Sequence, residues 1–536
     1  MRKLFLLLAA ALFAAPSPAK ADDPTGPTVE VRIQAIKDML PLASYIGDLV
    51  GQGEPAEQGV NLVKALAGKK GVIEGVDITR PIGAYAVMTP AVIDSPIVVM
   101  VPVGDEAAFL NLLRGKLSLN PEKGDDDVYA VDVPNVPPKV YFRFHKDYVC
   151  VAVHNKKSLD PKTLPNPKEF FAKEDAAVLS VAVHLDRVPA DVRKTVLGQM
   201  ELKFADEKGK PAKSPAEEKA RALALDAALS GFTAVSTEGR TATLRLTLDP
   251  KADDIGLALT LTGKDGSDLK SLFSAAATRT AVAPLAAAKD AVLSFAANLQ
   301  VPEKFQKRFA DAIDLAIGES LENAKGNDRE GAKRFFDAIE PTLKSGVVQF
   351  GASLTSSAAD KFELLGAVRM TGGKEIEKLA REFAPHIPEN QAKVKFDVEK
   401  AGSTPLHEVV PTLEEKAEKL FGKNSSVWLT TADDLFVAGF GSNSAAVKKV
   451  AQASPAAVPI FSFEASLARL LPVVEEKLKP EQVRSLVKEV FDDVKPAGND
   501  TVKFAVTGGE KLSVSLTAKG KALKLLALLD KRKKES

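Results

Sequence analysis

The sequence predicts an α+β fold made by internal duplication, with antiparallel sheets and helices packed mainly on one face. Three observations predict it. Ala177-Val178-Leu179-Ser180 recurs as Ala291-Val292-Leu293-Ser294, and each copy opens the same order of strand, charged amphipathic helices, two strands and a short helix. Residues 140–154 align without gaps to 427–441, each an apolar alternation broken by a polar pair, Lys146-Asp147 or Asp433-Asp434. A Pro-containing stretch follows each alternation, at 160–168 and 453–459.

The elements follow from local pattern. The first repeat, 28–116, is expected to hold a strand at 28–36, helices over 41–66, strands at 83–88 and 96–103, and a helix opened by Asp105. The second repeat, 176–276, has its later strands at 241–248 and 256–262. The third, 290–385, has them at 347–354 and 362–370, then a helix from Lys374. The fourth, 459–529, has them at 502–507 and 512–518, then a helix from Lys521. Alternation carries the strand assignments, as in Leu512-Ser513-Val514-Ser515-Leu516. Helical spacing carries the others: Ile376, Leu379, Ala380 and Phe383 fall on one face. Hairpins are expected at 139–154 and 426–441. A two-residue turn at Lys146-Asp147 would place Phe142, Phe144, Val149, Val151 and Val153 on one buried face, with Cys150, Tyr141 and Arg143 on the other. The chain then reads as tandem halves, 27–278 and 288–530, joined by the Ala-rich stretch 278–289. Two polar inserts, 204–217 and 318–331, read as exposed loops between helices.

Residues 1–21 have the form of a secretory signal. Arg2 and Lys3 precede an apolar run from Leu4 to Ala15, and Ala19-Lys20-Ala21 is a small-x-small cleavage site. The run is shorter than the roughly 20 apolar residues a bilayer span needs, and no later span is evident. A mature chain beginning near Asp22, periplasmic or secreted, is the expectation. Cys150 is the only cysteine among 536 residues, so packing alone must stabilise the exported fold.

Charge excludes some partners. Lys+Arg 72 against Asp+Glu 71 leaves a net charge of +1, with no global field for nucleic acid. Aromatic content of 6% argues against stacking platforms for bases.

No catalytic, cofactor or metal site is expected, because each candidate lacks its partners or its counterpart in another copy. His145, His154, His184, His386 and His407 form no zinc-type spacing and read as isolated residues. His145 and His154 flank one hairpin, yet their counterparts are Ala432 and Gly441. Cys150 faces Arg143 across the turn, a setting that would activate a thiol, but its counterpart is Val437. Ser485-Leu486-Val487-Lys488 matches S-x-x-K without the further motifs that chemistry needs. Gly439-Phe440-Gly441-Ser442-Asn443-Ser444 reads as a capped strand-to-helix turn. The final helix ends in Lys531-Arg532-Lys533-Lys534, and weak contact with an anionic membrane surface is the membrane role this tail offers.

The strand openings at 177–180 and 460–463, the strand pair within 83–103 and the two hairpins resemble a group of uncharacterised exported bacterial proteins known only as a domain of unknown function. The resemblance implies export and an α+β repeat fold, and carries no active residue. The sequence therefore points to an exported, non-catalytic binding or scaffold protein of the bacterial cell envelope, its partner an unknown envelope component. The alternative is a periplasmic carrier of a lipid or other apolar ligand held between sheet and helices. A hydrolase with an unrecognised site comes third.

Overall fold

The structure is a computed structural model that describes residues 26–133, 136–153, 155–172, 177–275, 279–286, 291–323, 327–358, 361–432, 434–474, 479–491 and 498–535. The expected signal segment 1–21, His154 and Asp433 lie outside the described residues. Helices and strands are mixed, and the strands form large antiparallel sheet structure. The chain folds into two compact units. One comprises residues up to Glu201, with Phe232–Leu269 and Thr517–Ser536; the other comprises Leu202–Gly231 and Lys270–Leu516.

In the first unit the strands are β1 (Val29–Ile33), β2 (Ile82–Ala86), β3 (Ile97–Pro102), β4 (Tyr129–Val133), β5 (Val136–His145), β6 (Tyr148–Val153), β7 (Ala177–His184), β8 (Gly239–Asp249) and β9 (Asp254–Gly263). They pair in the order β4-β5-β6-β3-β2-β1-β7-β8-β9, all antiparallel. The β5–β6 turn is the one expected at Lys146-Asp147. Both residues are left-handed, at φ 46 and 61, which is what a two-residue turn of type I′ needs to match the strand twist. Helices α1 (Ile36–Leu49), α2 (Gly53–Ala67), α3 (Glu106–Asn111) and α4 (Pro167–Phe171) fill the connections.

The hairpin register is as expected, with Phe142 opposite Val151, Phe144 opposite Val149 and Arg143 opposite Cys150. The expectation of helices mainly on one face fails here, because both faces are covered. Phe142 and Val149 pack with Phe109 of α3 and Leu113. On the other face Cys150, Ala152, Val98 and Met100 pack against Leu159, Leu164, Phe170 and Phe171. The cover on this second face comes from 160–168 and the turn after it, a stretch read as linker. Pro167 at the start of α4 and the Asn166 cap turn that stretch into a helix, which buries two phenylalanines.

The expected loops at 204–217 and 318–331 are mostly helical. Helix α5 runs Ala190–Lys208 and α6 Pro215–Glu238, leaving 209–214 between them. Lys, Glu and Ala are strong helix formers even where nothing packs against them, so charge alone does not mark a loop.

In the second unit the strands include β10 (Ala291–Gln300), β11 (Val347–Ala358), β12 (Lys361–Arg369), β13 (Ala392–Ala401), β14 (Thr404–Pro411), β15 (Ser426–Thr431), β16 (Leu435–Gly441), β17 (Phe461–Ser466) and β18 (Thr501–Thr507), and the strand expected at 512–518 forms as Leu512–Lys519. They pair in the order β13-β14-β15-β16-β12-β11-β10-β17-β18. The helices include α7 (Ala283–Ala286), α8 (Glu303–Asn323), α9 (Asn327–Lys344), α10 (Gly373–Phe383), α11 (Ala445–Ala451) and α12 (Pro480–Phe491). Helix α7 lies inside the Ala-rich stretch expected to join the halves. Val282 and Leu285 of this stretch are fully buried beside Ala367, Leu406, Val437 and Val447. The last helix, α13 (Gly520–Glu535), buries Ala522, Leu525 and Leu529 within the first unit, and its basic end is largely exposed.

Candidate functional site

Each unit has a tightly packed sheet face and a looser one, and the looser face carries continuous apolar rows. Residues directly opposite in antiparallel strands share a face. In the first unit one cross-strand row runs Leu259, Leu244, Val181, Val31, Ala84, Val99, Val151. A parallel row runs Leu257, Leu246, Leu179, Ile33, Ile82. Every member of both rows is aliphatic, yet none is fully buried, and Leu259 is 45% exposed. Phe142 continues the first row into the cluster under α3.

The packed face joins the apolar core of β3 and β6 to a buried polar group on β1 and β7. Glu30 and Arg32 of β1 are buried there as an ion pair, with His184 Nε2 3.2 Å from Glu30 and Arg32 Nε donating to the Phe170 carbonyl at 2.8 Å. Gly83 is required at this spot, since a Cβ would stand 2.7 Å from the Phe170 ring.

The second unit repeats the contrast. Its row runs Phe504, Phe463, Phe295, Ala352, Gly366, Ala438, Leu429, and all of these are half-buried. The opposite face buries Ser294, Asn298, Gln349 and Ser353, with Gln349 donating to Asn298 at 2.8 Å and accepting from Thr280 at 3.1 Å. The amphipathic helices α8 and α9 contribute no fully buried residue among those described.

The row in the second unit ends on His407, opposite Leu429. Here the chemistry changes. Helix α10 projects Lys374, Glu377, Lys378, Arg381 and Glu382 into a cleft of about 720 Å³, whose other wall is Ser403, Thr404 and Pro405 with Thr431 and Ala432. Gly373 at the start of α10 sits so close to β15 that a Cβ would stand 2.7 Å from the Ala432 carbonyl, which fixes the helix against the strand end.

Behind the cleft wall lies a charge cluster. Arg381 donates to Glu377 Oε1 from Nε and Nη2, at 3.0 and 2.7 Å, and to Asp397 Oδ1 at 2.7 Å. Its guanidinium lies 4.5 Å over the Phe396 ring. Thr431 Oγ1 donates to the second Glu377 oxygen at 3.0 Å. His407 is 1% exposed, and its Nδ1 accepts the Asp397 backbone N–H at 3.1 Å. Asp397 is left-handed, at φ 55, where the β13–β14 register shifts; the imidazole thus holds an irregular backbone in place. Burial pushes the Glu377 carboxyl up, but hydrogen bonds from Arg381 and Thr431 outweigh this and hold it low. The Arg381 hydrogen bond likewise holds Asp397 low. Burial pushes the His407 imidazole down, against the pull of Glu377.

Glu377, Asp397 and His407 bring ligand-type atoms within 4.8 Å of one another, but the set does not suit a metal ion. Arg381 already places a cation between the two carboxylates. With Nδ1 accepting from a backbone N–H, the neutral ring carries its proton on Nε2, so neither nitrogen has a free lone pair to offer.

The other candidates lie apart. Cys150 is fully buried, and burial pushes its thiol up to about 12 despite Arg143. Arg143 instead donates to the Leu159 and Asp126 carbonyls. His145 is half-buried, and burial with Lys146 and Arg143 pushes it down. His386 is exposed, as are Ser485 and Lys488 on α12. Asn443 forms the turn into α11, its side chain accepting from Ala445 N at 2.9 Å, and Ser444 stands at the N-cap. Two histidines expected to be isolated join charged groups: His184 beside Glu30 and Arg32, and His407 in the cluster behind the cleft. The neighbourhood of His407 is signalled by the alternation Val394, Phe396, Val398 of β13, a strand absent from the elements expected from sequence.

No protein-family model and no curated protein matches the chain. Among solved structures it is similar to TP0453, a Treponema protein, at 11% identity over 49% of this chain and 89% of that one, with a TM-score of 0.21. At that score the likeness carries no argument.

Proposed function

We propose that this is an exported binding protein of the bacterial cell envelope that carries an apolar ligand on the loose face of its sheet, and that it is not an enzyme. One observation carries the reading: the aliphatic and aromatic rows on that face stay part-exposed while the face opposite, with its own apolar core and buried polar groups, is packed shut. Apolar surface left open in this way is a binding surface waiting for a partner. A non-catalytic scaffold, part of the binding-or-scaffold reading preferred from sequence, would need no such open row and is the runner-up. Duplication belongs to the same reading. It is supported by matching pairings: β1-β2-β3-β6-β5-β4 against β10-β11-β12-β16-β15-β14. It is further supported by a register shift at the same place in both Ala-Val-Leu-Ser strands, between Ala177 and Leu179 and between Ala291 and Leu293. Export of the mature chain and kinship with the exported bacterial group complete the proposal.

Native mass spectrometry of the protein purified from its own envelope tests it. A bound apolar adduct, removed by organic extraction, is the expected result. Leu259→Glu and Leu364→Glu, both at side chains 45% exposed, should each weaken binding of the neutral dye Nile red. No adduct and no dye binding would sink the carrier.

A further inference from the structure

We propose that the cleft along α10 is a binding site for a small anionic group, a carboxylate or a phosphate, with Arg381 as its fixed anchor. Lys374, Lys378 and Arg381 are spaced by four and three residues, so they leave one face of the helix and line the cleft together. Ser403 and Thr404 place hydroxyls on the facing wall. Cationic and hydroxyl donors on opposing walls are what an oxyanion requires.

The anchor is held on one side only. Glu377 and Asp397 take Nε and Nη2 of Arg381, Phe396 supports its plane, and Nη1 makes no hydrogen bond among the described residues. A guanidinium held on one edge presents its other edge in a set direction, so little side-chain freedom is lost on binding. The carboxylates of the cleft are already engaged. Glu382 pairs with Arg334, and Glu377 with Arg381 and Thr431. Lys378 has no ion-pair partner among the described residues. Arg381 is shared by two carboxylates and Lys374 is already engaged, so the cation left for a ligand is Lys378, beside the open Nη1 of Arg381.

Two sources could supply the group. One is a free small anion. The other, which rests on the carrier reading, is the headgroup of an amphiphile whose chain lies along the row from Leu429 to Phe504.

Titration calorimetry of the mature chain with inorganic phosphate, dodecyl phosphate and dodecanol separates these. At least one phosphate probe should bind, and dodecyl phosphate should bind at least about tenfold more tightly than dodecanol, the scale of one charge-assisted hydrogen bond. Lys378→Glu should remove that advantage, and Arg381→Lys should reduce it while circular dichroism stays unchanged. Inorganic phosphate binding with the same Lys378 dependence assigns a free anion; binding of dodecyl phosphate alone assigns a headgroup. If dodecyl phosphate and dodecanol bind alike, the anion site is wrong and the carrier stands. If inorganic phosphate binds and dodecanol does not, the site stands and the carrier is wrong. No phosphate binding, or Lys378→Glu without effect, overturns the site.

Discussion

Where α3 meets its hairpin in the first unit the sheet is closed by aromatic rings, and where α10 meets its strands in the second it is closed by charge. Tyr129 stands opposite Phe142 and stacks on it at 4.8 Å, with Phe109 of α3 edge-on to Phe142 and Phe144 at 6.2 and 5.9 Å. His407 stands opposite Leu429 as Tyr129 does opposite Phe142, and α10 covers it with Glu377 and Arg381. The aromatic solution gains dispersion and burial and asks for no partners. The charged solution must satisfy every group it desolvates.

The largest expected effect lies on the aromatic side. Phe142→Ala should cost about 3–5 kcal/mol of unfolding free energy, the usual range for a buried phenylalanine, read from urea midpoints. A loss under about 1 kcal/mol would mean the cluster is not a core. On the charged side His407→Ala should cost less, about 1–3 kcal/mol, chiefly by leaving the Asp397 N–H without its acceptor. If His407→Ala proved the costlier change, the ranking of the two sites would be reversed.

Acid should distinguish them further. The folded pKa of His407 lies below its unfolded value of 6.5, so the unfolded chain binds the extra proton and stability falls as pH drops through and below about 6.5. Glu377 and Asp397, both held low when folded, give stability present above their unfolded values, 4.5 and 3.8, and lost as pH falls through the folded ones. Two successive declines are expected for Trp428 fluorescence stability curves, and His407→Gln should remove the upper one. An unchanged upper decline in that variant would remove His407 as its source. The smallest effect is at Ser485→Ala on the exposed face of α12, expected within about 0.5 kcal/mol of wild type in thermal melts.

Much of the fold was legible because period-two runs and turn chemistry are local. The hairpin register at 140–153 followed from Lys146-Asp147 and the alternation around it. The short helices α4 and α7 were not legible, since Pro and Ala stretches give the same local signal whether or not a sheet face waits for Phe170 or Leu285. Nor was the cluster at His407. It is assembled from α10, β13 and β14, and its members are spread from 377 to 407 with no common spacing. The apolar rows could be read strand by strand but not as rows, because pairing order is a tertiary fact.

The placement of Cys150 has a practical consequence. The chain holds one cysteine and one tryptophan. Cys150 is sealed in the first unit, and Trp428 is half-buried beside the core of the second. The unmodified protein thus contains a chemical probe in one unit and an optical probe in the other. Trapping the thiol while following the indole in the same sample measures directly whether the units open together or in turn.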